Sequence, residues 1–241
     1  MKLIKTDSVI HLNINELKIN KNIFRKIMQI GLPTGIQSAV FTIANILIQS
    51  AINSLGTIVI AASSAAFNIE IFAYDILNSF SQACTTFTGQ NYGAKQLKRC
   101  QKILILCILE DATALILSIT LVLIFGKELI SIFNNDPQVV EIGYTRLLMV
   151  FSAYIFSMLY ENMSGYLRGF GISLMPALLT IIGVCCVRII WIYTAFPIHR
   201  TFTTIMMAYP ISLSITALLI FIAVMVYRPS HKLQINKGDM Q

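Results

Sequence analysis

The chain has 241 residues, 56% of them hydrophobic and only 12% charged, with a formal charge of +7. Soluble domains carry about 25% charged residues, so a chain this poor in charge cannot cover a water-facing surface, and lipid has to be its main solvent. The mean hydropathy of +0.73 agrees, and the pI of about 9.2 comes from basic residues in loops and tails between apolar runs. Topology and anionic lipid account for that charge, and no nucleic-acid partner is expected.

Residues 1–26 are polar and basic (Lys2, Lys5, Lys18, Lys21) and lack the compact apolar run of a signal peptide, so the first span should serve for membrane entry. Six apolar stretches follow, near Ile27–Leu55, Ile58–Thr88, Ile103–Phe125, Leu147–Leu167, Leu174–Phe196 and Ile205–Tyr227. Each is close to the roughly 20 residues needed to cross a bilayer. The expected fold is an all-α integral membrane bundle of six helices over 27–228, with a tail at 229–241. Gly56-Thr57 permits only a tight hairpin between the first two spans. Asn134-Asn-Asp-Pro-Gln138 reads as the start of a short helix outside the membrane, with Asp136 as N-cap and Pro137 in the first turn.

Charge bias gives an orientation. Lys2, Lys5, Lys18, Lys21, Arg25, Lys26, Lys95, Lys98, Arg99, Lys102, Arg168, Arg228, Lys232 and Lys237 fall on one side. Lys127, Arg146 and Arg200 fall on the other, and Arg188 lies within the fifth span. Both termini are therefore expected in the cytoplasm, with the bundle in the inner or plasma membrane.

The polar residues inside the spans are the most informative feature. At about 100° per residue, Thr34, Ser38, Thr42, Asn45, Gln49 and Asn53 share one face of the first span, a stripe that either lines a water-filled cavity or bonds to a neighbouring helix. In the second span Ser64, Asn68, Asp75, Ser79, Gln82 and Thr86 share a face, with Asn78 at its edge. Glu70 points roughly 140° away from Asp75 in an unbroken helix. A carboxylate at mid-span costs about 2.5–3.5 kcal/mol on the insertion scale. At least one of the two should therefore bind a proton or cation, the other reading being an ion pair with a buried base such as Arg188. Glu161, beside Tyr160 and Asn162, ranks next as an ion or substrate ligand. Glu110 and Asp111 are placed near interfacial water and Lys102 or Lys98, and Trp191 and Tyr193 as interface anchors.

No G-x-S-x-G, H-E-x-x-H or Walker A sequence is present, so the chain is not expected to be an enzyme. The five cysteines form no C-x-x-C pair and lie in or beside apolar runs, where they act as small hydrophobes; no metal site or cofactor is expected.

Several strings, in order, resemble the second six-helix lobe of MATE (multidrug and toxic compound extrusion) transporters. They are Ile30-Gly-Leu-Pro-Thr-Gly-Ile-Gln-Ser38, Ala51-Ile-Asn-Ser-Leu-Gly56, Ile69-Glu-Ile-Phe-Ala-Tyr74, Phe87-Thr-Gly-Gln-Asn-Tyr-Gly-Ala-Lys95, Leu167-Arg-Gly-Phe-Gly171 and Val187-Arg-Ile-Ile-Trp191. The resemblance spans residues 21 to 228 and implies one lobe of a twelve-helix antiporter. Such a transporter exchanges H⁺ or Na⁺ for amphipathic, often cationic, small molecules by alternating access. It implies Glu70 as a coupling residue, Gln37, Asn53 and Tyr74 on cleft helices, and Gly89, Gln90 and Gly93 in a cytoplasmic loop. With the faces above, the expected ion-coupling residues are Glu70, Asp75 and Glu161. The expected cleft residues are Gln37, Asn45, Gln49, Asn53, Asn68, Tyr74, Asn78 and Gln82. The family often has Asn-Arg ahead of Ile-Glu; Phe67-Asn68 stands here, so Glu70 lacks that partner. Residues 1–26 resemble the connector between lobes, and a second lobe, from another chain or a second copy, would complete the cleft. The alternatives are a lipid-linked saccharide flippase of the same superfamily and an inactive structural fragment.

Overall fold

The computed structural model describes residues 19–227 and residue 229. Residues 1–18 of the expected N-terminal segment (1–26) and residues 230–241 of the expected tail (229–241) lie outside these residues, as do Lys2, Lys5, Lys18, Arg228, Lys232 and Lys237. Six helices are long and apolar enough to cross a membrane: α1 (Lys21–Asn53), α2 (Thr57–Gly93), α3 (Leu97–Ser131), α4 (Pro137–Gly169), α5 (Leu174–Ile198) and α6 (Phe202–Tyr227). Most outrun the apolar stretches that announce them. The 37 residues of α2 extend roughly 55 Å at 1.5 Å per residue, against a hydrocarbon core of roughly 30 Å, so polar sequence at the ends stays helical.

Two expectations are corrected on this ground. The segment after Asp136 is no separate helix but the first turns of α4: Asp136 Oδ1 accepts from the Gln138 amide at 2.8 Å and Pro137 opens the helix. With proline confined to the first turn, nothing stops propagation into the membrane. Likewise Gly89, Gln90 and Gly93 are helical residues at the end of α2 rather than a loop.

The turns follow local chemistry. Gly56 adopts φ +103° between α1 and α2, and Gly171 adopts φ +81° between α4 and α5, conformations open chiefly to glycine. Asn20 caps α1 by accepting from the amides of Asn22 and Ile23 at 3.0 and 3.3 Å. Pro33 lies inside α1 and has no N–H for the Gln29 carbonyl one turn back. The Ser173 hydroxyl donates to that carbonyl at 2.9 Å, tying α1 to the start of α5.

The centre of the bundle is α4, packed against α2, α3 and α6, while α1 lies against α5. Residues 160–167 are all buried, which explains why Tyr160, Glu161, Asn162 and Ser164 break any apolar periodicity. One core joins Ala66 and Leu77 of α2, Leu115 and Val122 of α3, and Leu147, Phe151 and Met158 of α4. A second joins Ala44 of α1, Tyr160 of α4, Val184 of α5, and Leu213 and Ile220 of α6. Lipid tails are as apolar as these side chains, so close fit must hold helices together. The fit of α2 to α4 depends on small residues: a Cβ at Gly169 would lie 2.6 Å from Thr88 Cβ, and one at Gly143 would lie 3.1 Å from the Ala62 carbonyl. In α5, residues Ile181–Cys186 form a π-helical segment. There Gly183 lets α6 approach so closely that a Cβ would stand 2.9 Å from Thr216 Cα.

Candidate functional site: a polar cleft beside α1 and α2

The two carboxylates of α2 have opposite surroundings. Glu70 is 4% exposed, and both its oxygens are taken by Arg146 of α4, Nε to Oε1 at 2.6 Å and Nη2 to Oε2 at 2.8 Å. Arg146 Nη1 donates to Ser63 Oγ, and the Tyr154 hydroxyl donates to the Glu70 carbonyl at 3.4 Å. Arg146 is thus not a loop charge on the outer side, as its polar neighbourhood led one to expect. Because α4 begins at Pro137, Arg146 is inside the helix and replaces the partner that Phe67-Asn68 cannot supply. Asp75 is exposed on the other side of α2 and forms no ion pair among the described residues.

Arg188 does not neutralise either carboxylate. Its Nε donates to Ser212 Oγ at 3.0 Å and its Nη1 to Asn45 Oδ1 at 3.3 Å. Its guanidinium lies 4.3 Å from the centre of the Tyr209 ring, a favourable cation–π arrangement.

These groups border a cavity of about 480 Å³ near the α1–α2 turn, lined by Thr42, Asn45 and Gln49 of α1, Glu70, Tyr74 and Asp75 of α2, and Arg146 and Arg188. Phe41, Phe67, Tyr154, Tyr160 and Tyr209 supply its aromatic wall. Although Glu70 and Asp75 leave α2 in different directions, both reach this cavity. A second cavity of about 640 Å³ lies toward the other end of α2, lined by Thr34, Gln37 and Ser38, by Asn78, Gln82, Thr85 and Thr86, and by Glu161 and Arg168. Tyr74 borders both cavities. Arg168 Nη2 lies 3.7 Å from Glu161 Oε2 and donates to Ser81 Oγ at 2.9 Å, while Ser81 Oγ donates to the Glu161 carbonyl at 2.7 Å.

Of the residues named from sequence, Asn45, Gln49, Glu70, Tyr74 and Asp75 gather at the first cavity, and Gln37, Tyr74, Asn78, Gln82 and Glu161 at the second. Asn53 and Asn68 belong to neither. Asn53 accepts from Gln49 Nε2 at 2.8 Å, and Asn68 donates to the Ser64 carbonyl at 3.0 Å. The hydroxyls of Thr34, Ser38 and Thr42 donate to carbonyls one turn back in α1 at 3.0, 3.1 and 2.9 Å, so they reach the cavities already satisfied. Trp191 Nε1 donates to the Thr204 carbonyl at 2.7 Å. The interfacial reading of Asp111 fails. Asp111 is fully buried and accepts from Asn162 Nδ2 at 2.5 Å, with no lysine partner among the described residues. The polar-in-apolar pattern around Glu161-Asn162 was the available signal for it.

An all-helical bundle with six membrane-length spans and polar cavities along one side defines a multi-pass membrane protein. Residues 33–194 match the MatE family model, and the chain belongs to that family. A probable multidrug resistance protein NorM of Thermotoga maritima is 26% identical over 68% of this chain and 36% of its own length. A probable multidrug resistance protein YoeA of Bacillus subtilis is 22% identical over 85% of this chain and 44% of its own. The chain thus spans well under two thirds of these relatives. The outward-facing structure of a multidrug resistance MATE family transporter of the MOP superfamily superposes with a TM-score of 0.83 at 17% identity, covering 95% of this chain and 52% of that one. A MOP superfamily transporter from Pyrococcus furiosus, described as having reversed polarity of its binding pocket, gives 0.80 at 18% identity over 91% and 50%. The six-helix fold is therefore that of half a MATE transporter.

Proposed function

We propose that this chain provides one six-helix lobe of a cation-coupled antiporter. It would export amphipathic, often cationic, small molecules in exchange for H⁺ or Na⁺ by alternating access. A second six-helix lobe, from another chain or a second copy, would close the cleft. The observation that carries this reading is the division of the lobe's surface. Exposed Gln49, Asp75 and Gln82 collect on the α1–α2 side around the cavities, whereas α3 turns Leu109, Ile116 and Leu117, each more than half exposed, outward. Lipid suits the second surface, whereas the polar groups of the first, set among exposed apolar side chains such as Ile46 and Phe72, require water or partners. Of the guanidiniums that border the cavities, Arg146 is paired with Glu70 and Arg168 lies beside Glu161, which leaves Arg188 alone without a carboxylate among the described residues, short of the cationic cavity that a lipid-linked saccharide flippase would need.

Within this reading the roles divide by accessibility. Both oxygens of Glu70 hold Arg146, so in this state its charge is matched within the lobe, and a coupling role for it requires that pair to open. Asp75, bordering the cavity with no ion pair among the described residues, is the group positioned to take a proton, a sodium ion or the cationic end of a substrate, and Glu161, beside Arg168, is the carboxylate of the second cavity. The test is complementation of a strain deleted for this chain, with export of a fluorescent lipophilic cation as readout. Wild type should restore export, and Asp75→Asn should not, at equal abundance in the membrane. If Asp75→Asn and Glu161→Gln both export like wild type, the coupling assignment is wrong. If the purified chain moves substrate in liposomes as a monomer, the one-lobe assignment is wrong.

A further inference from the structure

Away from both cavities, Asp111 of α3 and Asn162 of α4 face each other with neither residue exposed. Asn162 Nδ2 donates to Asp111 Oδ2 at 2.5 Å and to the Met158 carbonyl at 2.9 Å. The two remaining oxygens, Asp111 Oδ1 and Asn162 Oδ1, have no hydrogen-bond partner. No lysine, arginine or histidine among the described residues lies within 4.0 Å of the carboxyl. The titratable groups that act on it are Glu161 from α4 and Cys107 of its own helix, with Cys84 of α2 and Glu110 beside Cys107. The cation beside these neighbours is Arg168, which lies next to Glu161 and donates to Ser81 rather than to the Asp111 carboxyl.

An ionised carboxylate in such a place has one amide donor and no counter-charge, which a low-dielectric interior does not sustain. A proton resolves the arrangement. Added to Asp111 Oδ1, it neutralises the group and converts that oxygen from an orphaned acceptor to a donor, with Asn162 Oδ1 the other unpartnered acceptor of the pair. A metal ion does not: the site offers two free oxygens, and no group of three or more His, Cys, Asp or Glu that could hold an ion occurs among the described residues. We infer that Asp111 is a proton-binding site within the lobe, held as the neutral acid by Asn162 and separate from the groups that line the cleft. Glu161, which follows Tyr160 and precedes Asn162 in α4, borders the second cavity.

The inference depends on the packing of α3 against α4 and not on transport, so its readout needs neither substrate nor gradient. Full-length chain carrying carboxyl-labelled ¹³C-aspartate is reconstituted in lipid, and the infrared band of protonated carboxyl is followed with pH. Wild type should show one protonated aspartate at neutral pH, with a band that shifts in D₂O. Asp111→Asn, which has the shape of the neutral acid, should fold and lose the band entirely. If that variant fails to fold, single Asn variants at Asp7, Asp75, Asp136 and Asp239 assign the band by elimination, and all four should retain it. Fully ionised aspartate in wild type at neutral pH, a band that survives Asp111→Asn or vanishes in another variant, or loss of the band on adding NaCl at constant pH would each overturn the assignment. Failed export by an Asp75 variant would leave this result untouched, and the reverse holds.

Discussion

Two ion pairs in this lobe show how burial sets the weight of a charge. Lys127 Nζ lies 2.7 Å from Glu141 Oε2, but both side chains are exposed, and such pairs contribute about 0–1 kcal/mol. Glu70 and Arg146 have similar distances with almost no exposure. Removing one member of a buried pair leaves the other uncompensated, at a cost of about 3–5 kcal/mol, whereas replacing both by apolar residues of similar size is often neutral. Glu70→Gln is therefore expected to lower the thermal unfolding temperature of the detergent-solubilised chain sharply, and Glu70→Leu with Arg146→Met to recover most of the loss. A Glu70→Gln protein as stable as wild type would remove the structural role given to this pair. Helical spacing alone separated Glu70 from Asp75, because α2 is regular. It could not separate a paired carboxylate from an unpaired one, since the partner sits 76 residues away in a stretch that hydropathy reads as loop.

At the scale of elements, the α2–α4 contact is the one that cannot give way. Glycine and hydroxyl residues let these helices approach where lipid provides no hydrophobic drive, and Gly169 faces Thr88 with no room for a Cβ. Gly169→Val should cost about 1–3 kcal/mol through overpacking, measured as reduced thermal stability and lower yield of monodisperse protein. The same change at Gly93, where a Cβ meets nothing within 4 Å, should be far milder, reflecting helix propensity alone. Helix number and order were legible because apolar runs of bilayer length leave few alternatives. The helix ends were not, since polar turns such as Pro137–Thr145 and Gly89–Gly93 continue α-helix beyond the apolar core. Asp111 was misplaced for a related reason. Depth along a span is readable from sequence, but the face that a neighbouring helix covers is not, and α4 covers it with Asn162.

For the whole molecule, the MatE fold is carried by about half the length of the structures it superposes on, and its exterior is of two kinds. The apolar face of α3 is suited to lipid. The α1–α2 side sets exposed Gln49, Asp75 and Gln82 among apolar side chains such as Ile46 and Phe72, and the proposed transport reading rests on those polar groups. A structural fragment would use the same polar residues as dry contacts with another helix bundle, so solvent access separates the two. The decisive measurement is labelling of single cysteines in native membranes by a small water-soluble thiol reagent, in a background where Cys186, the exposed native cysteine, is serine. Cysteines at Gln49, Asn78 and Gln82 should be modified rapidly, and those at Leu109 and Leu117 on the outer face of α3 should resist. Protection at all five positions, or modification of the α3 positions as fast as those on α1 and α2, would contradict a water-filled cleft on this side of the lobe.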